Sequence, residues 1–227
     1  MNNQQTQTYG LNRFFGKIYA YLAMGIGISA VTSYLAIGPL FYETMQFVQN
    51  FPLGFMGLWI VEIVLVMVLG VKAQSNPSLA VGGFVVYSLL NGVTLAVTLM
   101  LYDIGTITAA LVTSTVTFLA MSLIGSFTKR DLSGMGRAAY SSLIGIIIAM
   151  LLNVFVLQSS PVDFFISILM VLIMSGITAY DNQMIRRVYV QSNGQAGSGV
   201  AVFMALKLYL DFINLFLSFL RIFGKNN

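Results

Sequence analysis

Long apolar runs alternate with short polar segments along this chain, and the runs predict its elements. Stretches near the length of about 20 apolar residues that a helix needs to cross hydrocarbon occur at Ile18–Gly38, Leu53–Val71, Leu79–Leu101, Ile104–Phe127, Ala138–Leu157, Phe164–Tyr180 and Val200–Phe223. Between the third and fourth, Tyr102 and Asp103 provide the only break, which predicts a tight turn. Residues 1–17 then form a polar N-terminal segment, residues 18–223 one membrane domain and residues 224–227 a tail. Met1–Tyr9 carries no basic residue and no apolar core of the kind a signal peptide has. The Gly/Ser-rich stretch Gln191–Gly199 reads as a hairpin linker between the last two spans. Rows of small residues, Ser141/Gly145/Ala149 and Thr106/Ala110/Ser114, predict close helix contacts.

Composition sharpens this into an all-α integral membrane protein. Hydrophobic residues make up 58% of the chain and charged residues 8%, with a mean hydropathy of +0.87. A soluble domain carries about 25% charged residues, so a soluble enzyme, a disordered chain and a nucleic-acid binder are set aside. The pI near 9.4 rests on a net charge of only +4, and the basic residues read as orientation markers. Arg13, Lys17, Lys72, Lys129, Arg130, Arg137, Arg186 and Arg187 fall on one side if the spans alternate. The opposite loops carry Glu43, Asp103 and Asp163, which places the N-terminus in the cytoplasm. Arg221 and Lys225 would lie outside after a seventh crossing, and a re-entrant last segment would return them; seven crossings is the favoured reading. No cysteine or histidine is present. Thiol and zinc–thiolate chemistry is therefore excluded, and pH sensing near neutrality falls to carboxylates. The methionines, without such companions, read as apolar filler.

The informative residues are ionisable groups inside apolar runs, because a charge at mid-bilayer costs several kcal/mol and needs protein or water around it. Asp181 and Asp211 flank the hairpin linker, at about 13 Å and about 17 Å from it if helices end near Val190 and restart near Val200. Antiparallel helices then bring them to similar depth, where two carboxylates share a proton or bind a divalent cation such as Ca2+. The competing reading puts Asp181 near the interface, capped by Arg186 and Arg187. Lys207, one helical turn before Asp211, is a structural ion partner, a competitor for a cation site, or a side chain reaching for the interface. Glu62 lies mid-span with no charge within nine residues. It is either hydrogen-bonded to a neighbouring helix or an oxygen ligand on an ion route. Lys72 closes the same span, as a flanking charge or as a partner of Asp181. Asn91, Asn153, Asn182 and Asn214 read as interhelical glue.

The segment Ala205–Gly224 (ALKLYLDFINLFLSFLRIFG) resembles the C-terminal signature of the Bax inhibitor-1 family, the transmembrane Bax inhibitor motif proteins. Ile177–Ile185 (ITAYDNQMI) resembles its sixth-helix motif, and NRFFGKIYAYLAMGIGISA and FTKRDLSGMG are similar to segments of bacterial members. The resemblance implies seven helices with the last central and surrounded by the other six. It also implies a pH-sensitive Ca2+ leak whose aspartate sensor maps onto Asp181 and Asp211. In the family a basic residue at the end of the second helix meets the first of these aspartates. Here an arginine is absent and Lys72 is the nearest candidate, which cannot form a planar bidentate contact. Bacterial relatives have also been linked to control of a membrane-bound protease.

These readings converge on a non-enzymatic protein of the bacterial inner membrane, with the lipid bilayer, Ca2+ and protons as its partners and no nucleic acid. It is expected to act as a Ca2+ channel or Ca2+/H+ transporter, with Ca2+ as the transported ion and no cofactor. Asp181 and Asp211 are the pH sensor and the Ca2+ ligands, and Glu62, Lys72 and Lys207 are candidates for the pathway or latch. The alternative is a non-transporting regulator that docks on another membrane protein. A transporter for an organic substrate ranks third, since no proline interrupts any of the seven runs.

Overall fold

The computed structural model describes residues 3–224, so Lys225 and the rest of the expected tail lie outside the described residues. The described chain is helical throughout, with α1 at Asn3–Ile37, α2 at Phe41–Asn50, α3 at Pro52–Lys72 and α4 at Pro77–Leu99. There follow α5 at Ile104–Phe127, α6 at Ser133–Leu152, a π-helical turn at Asn153–Leu157, α7 at Ser160–Gln191 and α8 at Ser198–Gly224. Seven of these segments are long and apolar enough to cross a membrane.

Local chemistry sets the helix ends. Asp103 caps α5 by accepting the Thr106 N–H at 3.0 Å, and Asn76 caps α4 by accepting that of Leu79 at 3.0 Å. Pro77 lies in the first turn of α4, where its missing N–H costs nothing. The turn after α7 uses positive φ at Asn193 (51°) and Gly194 (78°), residue types that tolerate the left-handed region.

Several boundaries differ from the apolar runs, the first being that α1 begins at Asn3 rather than near Ile18, so residues 3–17 continue the first helix instead of forming a separate segment. The segment after the first span forms the short helix α2, which has no buried residue. Helix α6 starts at Ser133, before the apolar stretch opens. Helix α7 continues past Asp181 to Gln191, because backbone bonding does not stop where side chains become polar. Helix α8 is continuous over 27 residues and two thirds of its apolar window is buried, 67% against 11% for α3.

The chain divides into two compact units. The first comprises Met1–Leu101 and Tyr189–Tyr209. Its main packing is α1 on α4, with α3 on the same helix. Phe84 and Tyr87 of α4 each meet the Tyr209 ring edge-on, at centroid separations that favour aromatic pairs. Gly25 lets α1 approach, since a Cβ there would fall 2.4 Å from the Phe84 ring.

The second unit comprises Tyr102–Val188 and Leu210–Asn227. Here α5 and α7 touch through backbone, because a Cβ on Gly125 would fall 2.0 Å from the Ala179 carbonyl oxygen. Thr106, Ala110 and Ser114 are buried along α5, whereas Ser141 and Gly145 on α6 are exposed. Ser141 and Gly145 thus face outward, a correction to the packing role expected of their row.

Gly125→Ala is therefore expected to lower stability by about 1–3 kcal/mol, the usual range for forcing a group into a packed contact. Gly145→Ala, whose Cβ meets nothing within 4 Å, is expected to lose none. Thermal unfolding of the two variants in the same detergent checks the contrast.

Candidate functional site

Carboxylates inside helices that cross hydrocarbon must find donors within the protein. In the second unit two of them are almost completely covered, Asp181 of α7 at 1% exposure and Asp211 of α8 at 3%. The Tyr140 hydroxyl, from the first part of α6, donates to Asp181 Oδ2 at 2.8 Å. Both carboxylates lie within electrostatic reach of that hydroxyl. The Tyr140 ring packs edge-on against Tyr180. Gly136, one turn before Tyr140, makes room for the Tyr180 ring, which a Cβ would approach to 2.4 Å. Phe118 of α5 meets Phe212 edge-on beside Asp211. The acidic residues thus sit under an aromatic cover that excludes water.

The residues next to Asp181 hold the unit together. Asn182 donates to Ser122 Oγ of α5 at 3.0 Å, a polar contact between helices. Gln183 Nε2 donates to the Arg130 carbonyl at 2.7 Å, and Gln183 Oε1 accepts the Leu132 N–H at 2.9 Å. One amide thereby clamps the connection from α5 to α6. Arg187 pairs with Asp131 and also donates to Ser133 and to Gln183 Oε1 at 2.6 Å. Arg187 is therefore committed to the loop, and the reading in which it caps an interfacial Asp181 does not describe the structure.

The first unit holds a different acidic centre. Glu62 of α3, 9% exposed, accepts from Thr94 Oγ1 at 2.9 Å and from Asn91 Nδ2 at 3.3 Å, both on α4. Asn91 Oδ1 in turn accepts the Tyr209 hydroxyl at 2.8 Å. That hydroxyl also lies 2.6 Å from Ser29 Oγ of α1, and Ser29 donates to the Ser88 carbonyl at 2.7 Å. Four helices therefore contribute to one buried polar network. Glu62 is hydrogen-bonded to a neighbouring helix, the first of its two expected roles.

The remaining candidates are less enclosed. Lys72 is exposed in the last turn of α3. Lys207 is half-buried on α8. Both belong to the first unit. Asn153 and Asn214 make local bonds, Asn153 to the Ser159 backbone and Asn214 to the Leu210 carbonyl of its own helix. These two are not interhelical glue in the way expected of them.

Among the described residues, no group of three or more acidic side chains is placed to hold a metal ion. Two carboxylates supply at most four of the about six to eight oxygens that Ca2+ takes. Water would have to supply the rest, which suits an ion in passage.

Tyr140, Thr94 and Tyr209 escaped the sequence reading. Each is an ordinary residue in an apolar run, and only the fold pairs Tyr140 and Thr94 with a carboxylate and Tyr209 with the Asn91 amide that serves Glu62. The signal available was a hydroxyl within a span, which needs a partner wherever it is buried.

A family model described as inhibitor of apoptosis-promoting Bax1 matches residues 11–227. An uncharacterised membrane protein of Streptococcus pyogenes serotype M1 is 47% identical over 218 residues, covering 96% of this chain and 95% of the relative. Protein YrjE of Lactococcus lactis is 42% identical over 95% of this chain and 92% of its own length. The inner membrane protein YbhL of Escherichia coli K12 is 35% identical over 95% of this chain and 93% of its own length.

Outside the spans, Asp131 titrates well below the usual range, at about 2, held down by the Ser133 backbone N–H and then by Arg187. A depressed folded value adds stability above the ordinary carboxylate value of about 3.9, and that stability disappears as pH falls towards 2. The site is exposed, so the gain is screened by salt. Thermal unfolding is expected to place the native chain above Asp131→Asn at pH above about 4, with the two converging near pH 2.

Proposed function

The chain belongs to the Bax inhibitor-1 family, and on that premise we propose that it is a pH-sensitive Ca2+ leak channel or Ca2+/H+ transporter. One proton shared between Asp181 and Asp211 gates it. The observation that carries this reading is the burial of both carboxylates in helices that cross the membrane, with the Tyr140 hydroxyl bonded to Asp181 and within electrostatic reach of Asp211. Two negative charges at that depth repel in a medium that screens them poorly, and one proton between them removes the repulsion. Tyr140 donates to Asp181 Oδ2, which leaves Asp181 Oδ1 and the Asp211 carboxylate as the positions between which the proton is shared. A short hydrogen bond between α7 and α8 then keeps the path closed. Loss of the proton leaves two charges that Ca2+ neutralises or that push the helices apart.

The same proposal has the protein in the inner membrane with a cytoplasmic N-terminus. The asymmetry of lysine and arginine between loops supports this orientation, and the inner-membrane name of the relative YbhL supports the location. Lys129, Arg130 and the Arg187–Asp131 pair then face the cytoplasm.

Ca2+ uptake into proteoliposomes between about pH 5 and about pH 8 tests the reading. Asp181→Asn and Asp211→Asn are each expected to abolish the pH dependence of uptake, while Tyr140→Phe keeps uptake but displaces its midpoint. Uptake that keeps its size and pH profile in both asparagine variants would contradict gating by the pair. It would favour a regulator that docks on another membrane protein.

A further inference from the structure

One end of the second unit carries chemistry that calcium passage does not use. A cleft of about 400 Å³ opens there, lined among others by Tyr102, Asn153, Gln158, Asp163, Arg221 and Gly224. Its volume lies within the range of small-ligand sites, about 300–1,000 Å³. Asp163 stands in the first turn of α7 and Arg221 in the last turn of α8. Each complements the dipole of its own helix. Both act on the Tyr102 hydroxyl, so opposite charges converge on one ring.

These charges do not satisfy each other. The ion pair found among the described residues is Arg187–Asp131. Among those residues, the side chains of Arg221 and Asp163 make no hydrogen bond or ion pair. A guanidinium and a carboxylate left open in one cleft form a matched pair of donor and acceptor sites for a third species.

The walls are built rather than incidental. Asn153 Nδ2 donates to the Ser159 carbonyl at 3.2 Å, and the Ser159 N–H returns a bond to Asn153 Oδ1 at 3.1 Å. Between them Gln158 adopts φ +47°, a left-handed conformation that is costly for a residue with a Cβ and that gathers at ligand sites. The floor needs a glycine, since a Cβ on Gly224 would fall 2.2 Å from the Tyr102 ring.

We propose that this cleft binds a zwitterion carrying a phosphate and a primary ammonium, the chemistry of a phosphoethanolamine head group. The Arg221 guanidinium takes the phosphate through its planar fork, and the Asp163 carboxylate accepts from the ammonium. A simple anion would leave Asp163 facing it with like charge, and a simple cation would do the same to Arg221. Both charged residues lie where membrane-crossing helices end, the depth of lipid head groups. The site is separate from Asp181 and Asp211 and stands whether or not Ca2+ passes.

Native mass spectrometry of the full delipidated chain in detergent tests this, with short-chain phosphatidylethanolamine, short-chain phosphatidylglycerol and free phosphoethanolamine as probes. Phosphatidylethanolamine is expected to bind in preference to phosphatidylglycerol, and Arg221→Gln and Asp163→Asn are each expected to weaken it by about tenfold or more. Competition by free phosphoethanolamine assigns the site to the head group alone, and failure to compete assigns it to the intact lipid. Equal binding of the two lipids, or affinity that survives both substitutions, overturns the proposal. If Arg221→Gln does not fold, Arg221→Lys keeps the charge without the fork. It is expected to lose several-fold in affinity, and unchanged binding in Arg221→Lys and Asp163→Asn overturns the proposal equally.

Discussion

A carboxylate carried into hydrocarbon has to be met by a donor from another helix, and the helices of this protein are arranged around that demand. Water is not there to solvate an unmet charge, so each buried oxygen fixes which helix face must lie against it. Asp181 requires the Tyr140 hydroxyl and so commits α6 to α7. Glu62 requires Thr94 and Asn91 and so commits α3 to α4. Such contacts specify register in a way that apolar packing does not, because lipid tails compete with leucine for leucine but not for a hydrogen bond. Close approach is then supplied by small residues, as where Gly125 lies against the Ala179 backbone.

The two units solve the same problem differently. Around Glu62 the solution is a network of neutral donors, running through Asn91 to Tyr209 and Ser29. Four helices share the cost of one acidic side chain there, and the group reads as structural glue in the first unit. Around Asp181 and Asp211 two acids lie within electrostatic reach of the Tyr140 hydroxyl. Two carboxylates at that depth respond to the arrival of a proton or a cation, which is why the proposed gate is placed there.

Much of the architecture is legible in the residues, for reasons that can be named. The spans show because hydrocarbon tolerates so few polar groups that each interruption stands out, as Tyr102-Asp103 does between α4 and α5. Asp181, Asp211 and Glu62 stand out by the same logic. Helix ends are less legible, since α7 runs on through Asp181, Asn182 and Gln183 as polar contacts take over from apolar ones. The partners of the acids are hidden. Nothing in the run around Tyr140 distinguishes it from a tyrosine facing lipid, and only the packing of α6 on α7 brings it to Asp181. The asparagines divide on the same ground. Asn91 and Asn182 reach other helices, while Asn153 and Asn214 bond locally.

The central claim is that Asp181 and Asp211 hold one proton between them inside the membrane. Infrared difference spectroscopy of the reconstituted protein reads that proton directly, through the carbonyl stretch that a protonated carboxylic acid has and a carboxylate lacks. In a Glu62→Gln background, which removes the buried acid of the first unit, the account predicts one such band at neutral pH, lost on raising the pH and absent when Asp181→Asn or Asp211→Asn is added. A neutral-pH spectrum without a protonated-acid band, or a band that persists in both variants, would contradict it.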